Sequence, residues 1–465
     1  MTKKQLQTTI LSFNDKGLSI SKDQNNNKIV SINGVIEDEV LLELNKKRRN
    51  IIKGKILEVI KPSKYRTSPK CSHFEMCGGC TLQNYKYESQ LAFKEKMVLG
   101  TFKEEINNGA NFYSIVESNP FEYRNKMEFS FSQNRANDNF LGLMIKGANR
   151  YVFNIKRCYL VKEWFSNVLN NTRSWFEKEK INPYRPLDNV GLLRNLIIRE
   201  GINCNEKMVV LVLSDLNELT KDQINSFIET VKKSVDDTSK LSIFLKIIHA
   251  KKGSPTTYEE ILLFGKDHIN EKLNININEI NLELNFKISP SAFFQPNTTQ
   301  AQKLFSLALK YLNIQKDDIV YDLYTGTGTL GLILSKLAKK VIGIELNIDA
   351  CKNANQNIKN NNIDNFTILN GDVGKVLNDL ISKKEYISPD VVCVDPPRAG
   401  LDDLAIENIK VLNPKKILYI SCNIKTQKQN IDILKNYGYI PIIIAPIDQF
   451  PHTTHIENII ILKRT

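Results

Sequence analysis

"DLYTGTGTLGL", Asp322–Leu332, follows the apolar run "DIVY" and leads into a helix-like segment through two closely spaced glycines. Gly326 and Gly328 let the backbone turn tightly and come close to a ligand before that helix begins. The same handover recurs downstream. From about residue 286 short apolar runs alternate with helical segments: "DIVYDLYTG", "KVIGIELN", "FTILNGD", "VVCVDPP" and "KILYISCN". Runs this short, separated by helices, predict an α/β fold with a parallel, doubly wound sheet. The segment "YIPIIIAPIDQFPHTTHIENIIILKRT", Tyr439–Thr465, has two apolar runs joined by a turn-rich stretch and predicts a closing antiparallel hairpin.

Ligands of such a sheet bind outside the carboxyl ends of its strands. Four successive strand ends carry Asp322, Glu345, Asp372 and Asp395. A lone G-x-G also fits a dinucleotide site, but four carboxylates repel a pyrophosphate and suit a cationic adenosyl ligand such as S-adenosylmethionine. Glu345, about 20 positions after the loop, is suited to ribose hydroxyls. Asp372 reads almost equally well as a helix N-cap. If the closing hairpin inserts its last strand antiparallel beside the fifth, Glu457 faces Cys422, with Asp395 on the adjacent strand. Free cysteine is among the most buried residue types, so a packing role for Cys422 is the bland alternative.

Upstream, the 465 residues allow about three domains. The boundaries read as a small β-barrel over 1–62, a cysteine-rich loop over 63–95, a central α+β domain over 96–285 and the doubly wound domain over 286–465. With 42% hydrophobic and 25% charged residues and no sustained apolar run, the composition predicts a cytoplasmic protein without a membrane partner. A net charge of +13 points to a nucleic-acid partner, although a Lys-, Asn- and Ile-rich chain also acquires charge from genome base composition. The basic run "NKKRRNIIKGK" favours nucleic-acid binding by the barrel. Cys71, Cys77 and Cys80, with Gly78 and Gly79 between the last two, place thiolates on backbone that can fold around a metal, and Cys158 supplies a fourth. Tetrahedral zinc and a [4Fe-4S] cluster both accept four thiolates, and spacing does not choose between them. His73 is a further candidate in a zinc site.

The motifs "SPSAFFQPN" (289–297), "DLYTGTGTLGL", "GIELN", "VDPPRAGL", "YISCN" and "FPHTTHIEN" together resemble the RNA 5-methyluridine methyltransferases, a family with the Rossmann-like class I methyltransferase fold. The amino-terminal part resembles a TRAM (OB-like) domain, and "CSHFEMCGGCTLQ" resembles the cluster motif of the family's 23S ribosomal branch. This resemblance implies Cys422 as nucleophile and Glu457 as proton acceptor. It implies S-adenosylmethionine contacts from Gln295, Tyr324, Glu345 and Asp395. It also implies a [4Fe-4S] cluster on Cys71, Cys77, Cys80 and Cys158 in preference to zinc, and 23S rRNA as partner, with no obligate protein partner evident. Thr325 stands where the family often has cysteine. C5 of uracil is a poor nucleophile, so a thiolate must add at C6 before C5 can be methylated, and a base must then remove the C5 proton. Cytosine-C5 DNA enzymes resemble one another in a Pro-Cys pair after the fourth strand, where this chain has Pro396-Pro397. A tRNA uracil-C5 methyltransferase and a noncatalytic RNA-binding assembly factor are the alternatives; tRNA relatives are expected to lack barrel and cluster motif.

Overall fold

The computed structural model describes residues 4–45, 51–148, 151–185, 188–215, 218–250, 253 and 256–465. The alternation after residue 286 produces strands β1 (Ile319–Leu323), β2 (Lys340–Glu345), β3 (Phe366–Asn370), β4 (Val391–Val394), β5 (Lys416–Ser421), β6 (Tyr439–Ile447) and β7 (Glu457–Arg464). They lie in the order β3-β2-β1-β4-β5-β7-β6, and a two-residue strand, Asn111–Phe112, completes the outer edge beside β6. The first five strands run parallel, and β4 is buried at every position, as a strand covered on both faces must be. Strand β7 inserts antiparallel between β5 and β6 with Ser421 opposite Asn458. The expected closing hairpin is therefore present, and the next register position puts Cys422 across from Glu457.

Helices α1 (Thr298–Leu312), α2 (Thr329–Ser335), α3 (Ile348–Asn360), α4 (Val373–Lys383), α5 (Asp403–Leu412) and α6 (Ile424–Lys435) flank the sheet. Their starts are chemically marked. Asn347, Asp372, Asp402 and Asn423 each accept a hydrogen bond from a backbone N–H in the first turn. Asp372 thus serves α4 as its N-cap while standing at the ligand edge.

The amino-terminal strands Gln5–Thr9, Ser12–Phe13, Ser19–Lys22, Lys28–Ser31, Glu39–Leu44 and Ile51–Lys61 form one six-stranded sheet around Ile10, Ile29, Val40, Leu42 and Ile52. Residues 46–50 of the basic run lie outside the described residues. A seven-stranded sheet follows between residues 126 and 264. The hairpin Ile269–Ile277/Ile280–Ile288 packs its apolar face into one core with α1 and the doubly wound sheet. Helix Tyr87–Thr101 and the short helix Lys103–Asn107 pack into a separate core with α5 and α6, with Glu105 3.0 Å from Lys428 and 3.1 Å from Lys435 on α6. Among the described residues, no helix is long and apolar enough to cross a membrane.

Candidate active site

The glycine loop leaves β1 with a left-handed backbone at three alternate positions. Tyr324 adopts φ +64°, and Gly326 and Gly328 adopt φ +57° and +81°. A left-handed Tyr is costly, and such residues concentrate at ligand sites. The turn aims the N–H of Gly326 at Glu345 Oε2, 2.9 Å away, while Asn347 N–H donates to Oε1 at 2.8 Å. Glu345 is thereby fixed at the rim. Thr325 uses its hydroxyl to donate to the Asp322 carboxylate, so the departure from cysteine supplies a hydrogen bond.

Gln295, Tyr324, Glu345, Asp395, Cys422 and Glu457 all line a single cleft of about 1130 Å³, together with Asp322 and Asp372. Gln295 is held there by the residue just before strand Lys126–Gln133, since Asn125 Nδ2 donates to its backbone carbonyl at 2.8 Å. Burial pushes Asp322 and Asp395 up to about 7, and Asp395 raises Asp322 further. Among the described residues no protein donor bonds Asp395. Two carboxyls this uncomfortable as anions fit a cationic ligand such as a sulfonium.

Glu457, 7% exposed, has its carboxyl raised well above the usual range by burial and by Asp395, with Arg398 opposing. The thiol of Cys422 is also raised, first by burial and then by Glu457. Arg398 again opposes, through its charge and a hydrogen bond. Arg398 acts on both groups from the segment after β4, and Asn423 Nδ2 donates to its backbone carbonyl at 2.9 Å. Its Nη2 also donates to His455 Nδ1 at 3.2 Å, and burial and this neighbour bring His455 down to about 4, so the ring is neutral. Sequence reasoning overlooked Arg398, although its place after Pro396-Pro397 at a strand end was a usable signal.

The four cysteines singled out from the sequence line a second cavity, of about 360 Å³, among Phe74, Leu143, Ile155 and Leu160. Burial raises all four thiols, Cys158 to about 11, and Cys158, Cys77 and Cys71 contribute to the rise at Cys80. Among the described residues, no group of three or more His, Cys, Asp or Glu side chains stands ready to hold a metal ion.

A family model described as tRNA (uracil-5-)-methyltransferase matches residues 221–465. An uncharacterized RNA methyltransferase of Protochlamydia amoebophila is 44% identical over 431 residues, 91% of this chain and 97% of that protein. Another, of Clostridium acetobutylicum, is 36% identical across 94% of this chain and 93% of its own. The crystal structure of the Pyrococcus abyssi tRNA (uracil-54, C5)-methyltransferase in complex with S-adenosyl-L-homocysteine shares the fold, with TM-score 0.72, 24% identity, and coverage of 98% of this chain and 99% of that one. Matches of this length to family and relatives leave one assignment: the chain belongs to the S-adenosylmethionine-dependent RNA uracil-5-methyltransferases.

Proposed function

We propose that the chain methylates uracil C5 in 23S rRNA, with Cys422 as nucleophile and Glu457 as base. The observation that carries this reading is the convergence of a thiol, a strongly basic buried carboxylate and an acidic rim on one cleft. Cys422 thiolate adds to C6, and the π electrons of C5=C6 move toward O4 as an enolate. S-adenosylmethionine, which Gln295, Tyr324, Glu345 and Asp395 would hold, would supply the methyl group: C5 would take it as the enolate collapses, and the S–CH3 bond would break to leave S-adenosylhomocysteine. Glu457 then takes the C5 proton. The C5–H electrons restore C5=C6 and expel Cys422 as thiolate. A carboxylate disfavoured as an anion binds a proton more tightly, which suits this step. Arg398 counters the effect of burial on the thiol.

The target base must leave its stack for both ring faces to be reached. Residues 1–62, read as a TRAM-like barrel, and the central domain over 96–285 hold RNA backbone in this proposal, and the protein works in the cytoplasm. For the cysteine-rich loop within 63–95 we propose a [4Fe-4S] cluster on Cys71, Cys77, Cys80 and Cys158. The set fits in ligand type and number; zinc is the lesser alternative. Methyl transfer requires no electron, so the cluster's part is structural.

A tRNA substrate is the second reading. The Pyrococcus abyssi tRNA enzyme matches 98% of this chain, so the amino-terminal strands do not by themselves distinguish ribosomal enzymes. The 23S choice rests on the resemblance of the cysteine motif. Purified protein is incubated with labelled methyl donor and either unmodified 23S rRNA or tRNA. Transfer to 23S rRNA, falling to background in Cys422→Ala, is expected. Transfer to tRNA alone overturns the substrate, and a fully active Cys422→Ala overturns the mechanism.

A further inference from the structure

Glu457 begins a strand, and the nine residues before it, Asp448–Ile456, form the crossing from β6 to β7. That crossing is anchored to a distant part of the chain. Lys94 Nζ and Asp448 Oδ1 form an ion pair 2.6 Å long, with both side chains 0% exposed. Lys94 also donates to the carbonyl of Phe450 at 3.1 Å. Tyr87, on the same helix, donates its hydroxyl to Asp448 Oδ2 at 2.8 Å. Two residues beyond Phe450, His452 takes a left-handed conformation, φ +64°, and its N–H donates to Gln90 Oε1 at 2.9 Å.

A fully buried ion pair is a poor device for stability, because desolvating both charges consumes most of what their attraction returns. An apolar pair of similar volume would pack the same space. What the charges add is direction: Lys94 fixes two points of the crossing, and Gln90 fixes a third where the backbone is strained. Neither residue lines the cleft.

We propose that Lys94, through Asp448, and Gln90, through His452, are positioning residues that hold Glu457 at the distance needed to remove the C5 proton. This rests on the reading of Glu457 as the base. A misplaced base leaves methyl transfer intact, since Cys422 and the cofactor residues stand on other segments. The Cys422–C6 bond then persists, because the thiolate is expelled only when the C5 proton leaves.

The test uses full-length Lys94→Met, Gln90→Leu and, as reference, Glu457→Gln, with RNA tritiated at uracil C5. First-turnover methyl transfer, tritium release and covalent protein–RNA complex on denaturing gels are followed. In Lys94→Met, tritium release is expected to fall about 10- to 100-fold, with first-turnover transfer retained and a methylated covalent complex accumulating. Equal loss of transfer and release without a complex means a merely structural role and overturns the proposal. If Lys94→Met does not fold, Gln90→Leu decides, and wild-type tritium release there overturns it. A trapped complex in Glu457→Gln but in neither positioning variant sinks the proposal and leaves the reading of Glu457 standing. Absence of a complex in Glu457→Gln sinks both.

Discussion

Arg398 acts in the same direction on the two groups whose ionisation the proposed chemistry needs. Its charge favours the Cys422 thiolate and the Glu457 carboxylate against the burial that raises each. In the proposed mechanism only the thiolate adds to C6, so the acid limb of the rate rises with pH as Cys422 loses its proton. Removing the guanidinium leaves that thiol higher still. Arg398→Met is therefore expected to shift the acid limb of the single-turnover pH–rate profile to higher pH and to lower the rate at neutral pH. An unmoved limb would separate Arg398 from Cys422. At this scale much of the candidate site was legible in the sequence. Cys422, Glu457, Asp395 and Glu345 stand at strand ends of a doubly wound sheet, where topology alone sends them to one edge. Arg398 was readable from the same rule. Lys94 and Asp448 were not, because their pairing spans 354 positions and no local pattern marks it.

Gly331, in the first turn of α2, shows how tightly the glycine loop is packed onto its neighbours. A Cβ there would lie 2.2 Å from the Phe366 ring on β3 and 2.9 Å from Asp322 Oδ2. Neither can retreat, since Phe366 is in the core and Asp322 is held by Thr325. Gly331→Ala is expected to destabilise the fold by about 1–3 kcal/mol, read as a lower urea midpoint at unchanged slope. It should also weaken S-adenosylmethionine binding by calorimetry, because the loop moves with the helix. The elements of the doubly wound half were readable because buried parallel strands are short and apolar and their helices carry Asn or Asp caps. The hairpin Ile269–Ile288 was harder. Its alternation is present, but the outward positions are filled by Asn, Glu and Lys, residues depleted in strands. Strand Asn111–Phe112 has two residues and no signature; its partner on β6 creates it.

Across the whole molecule, the net charge of +13 is the property that a polyanionic partner senses first. RNA binding is expected to weaken steeply with salt, by about 10³-fold or more between roughly 50 and 200 mM if six or more phosphates are neutralised. A filter-binding titration across that range checks it, and a flat response would remove the backbone-holding role from the upstream sheets. The division into segments 1–62, 63–95, 96–285 and 286–465 rests on local texture. It did not capture how far the upstream chain enters the downstream half, because docking between segments depends on complementary surfaces that periodicity does not encode. Asn111–Phe112 closes the sheet against Ile443 and Ile444 of β6, and helix Tyr87–Thr101 braces the crossing beside it. A fragment starting at residue 286 would keep every strand end of the cleft yet expose β6 as an unpaired apolar edge. Such an edge recruits other edges, so the piece that contains the chemistry is also the piece most prone to self-association when severed from the segments that cover it.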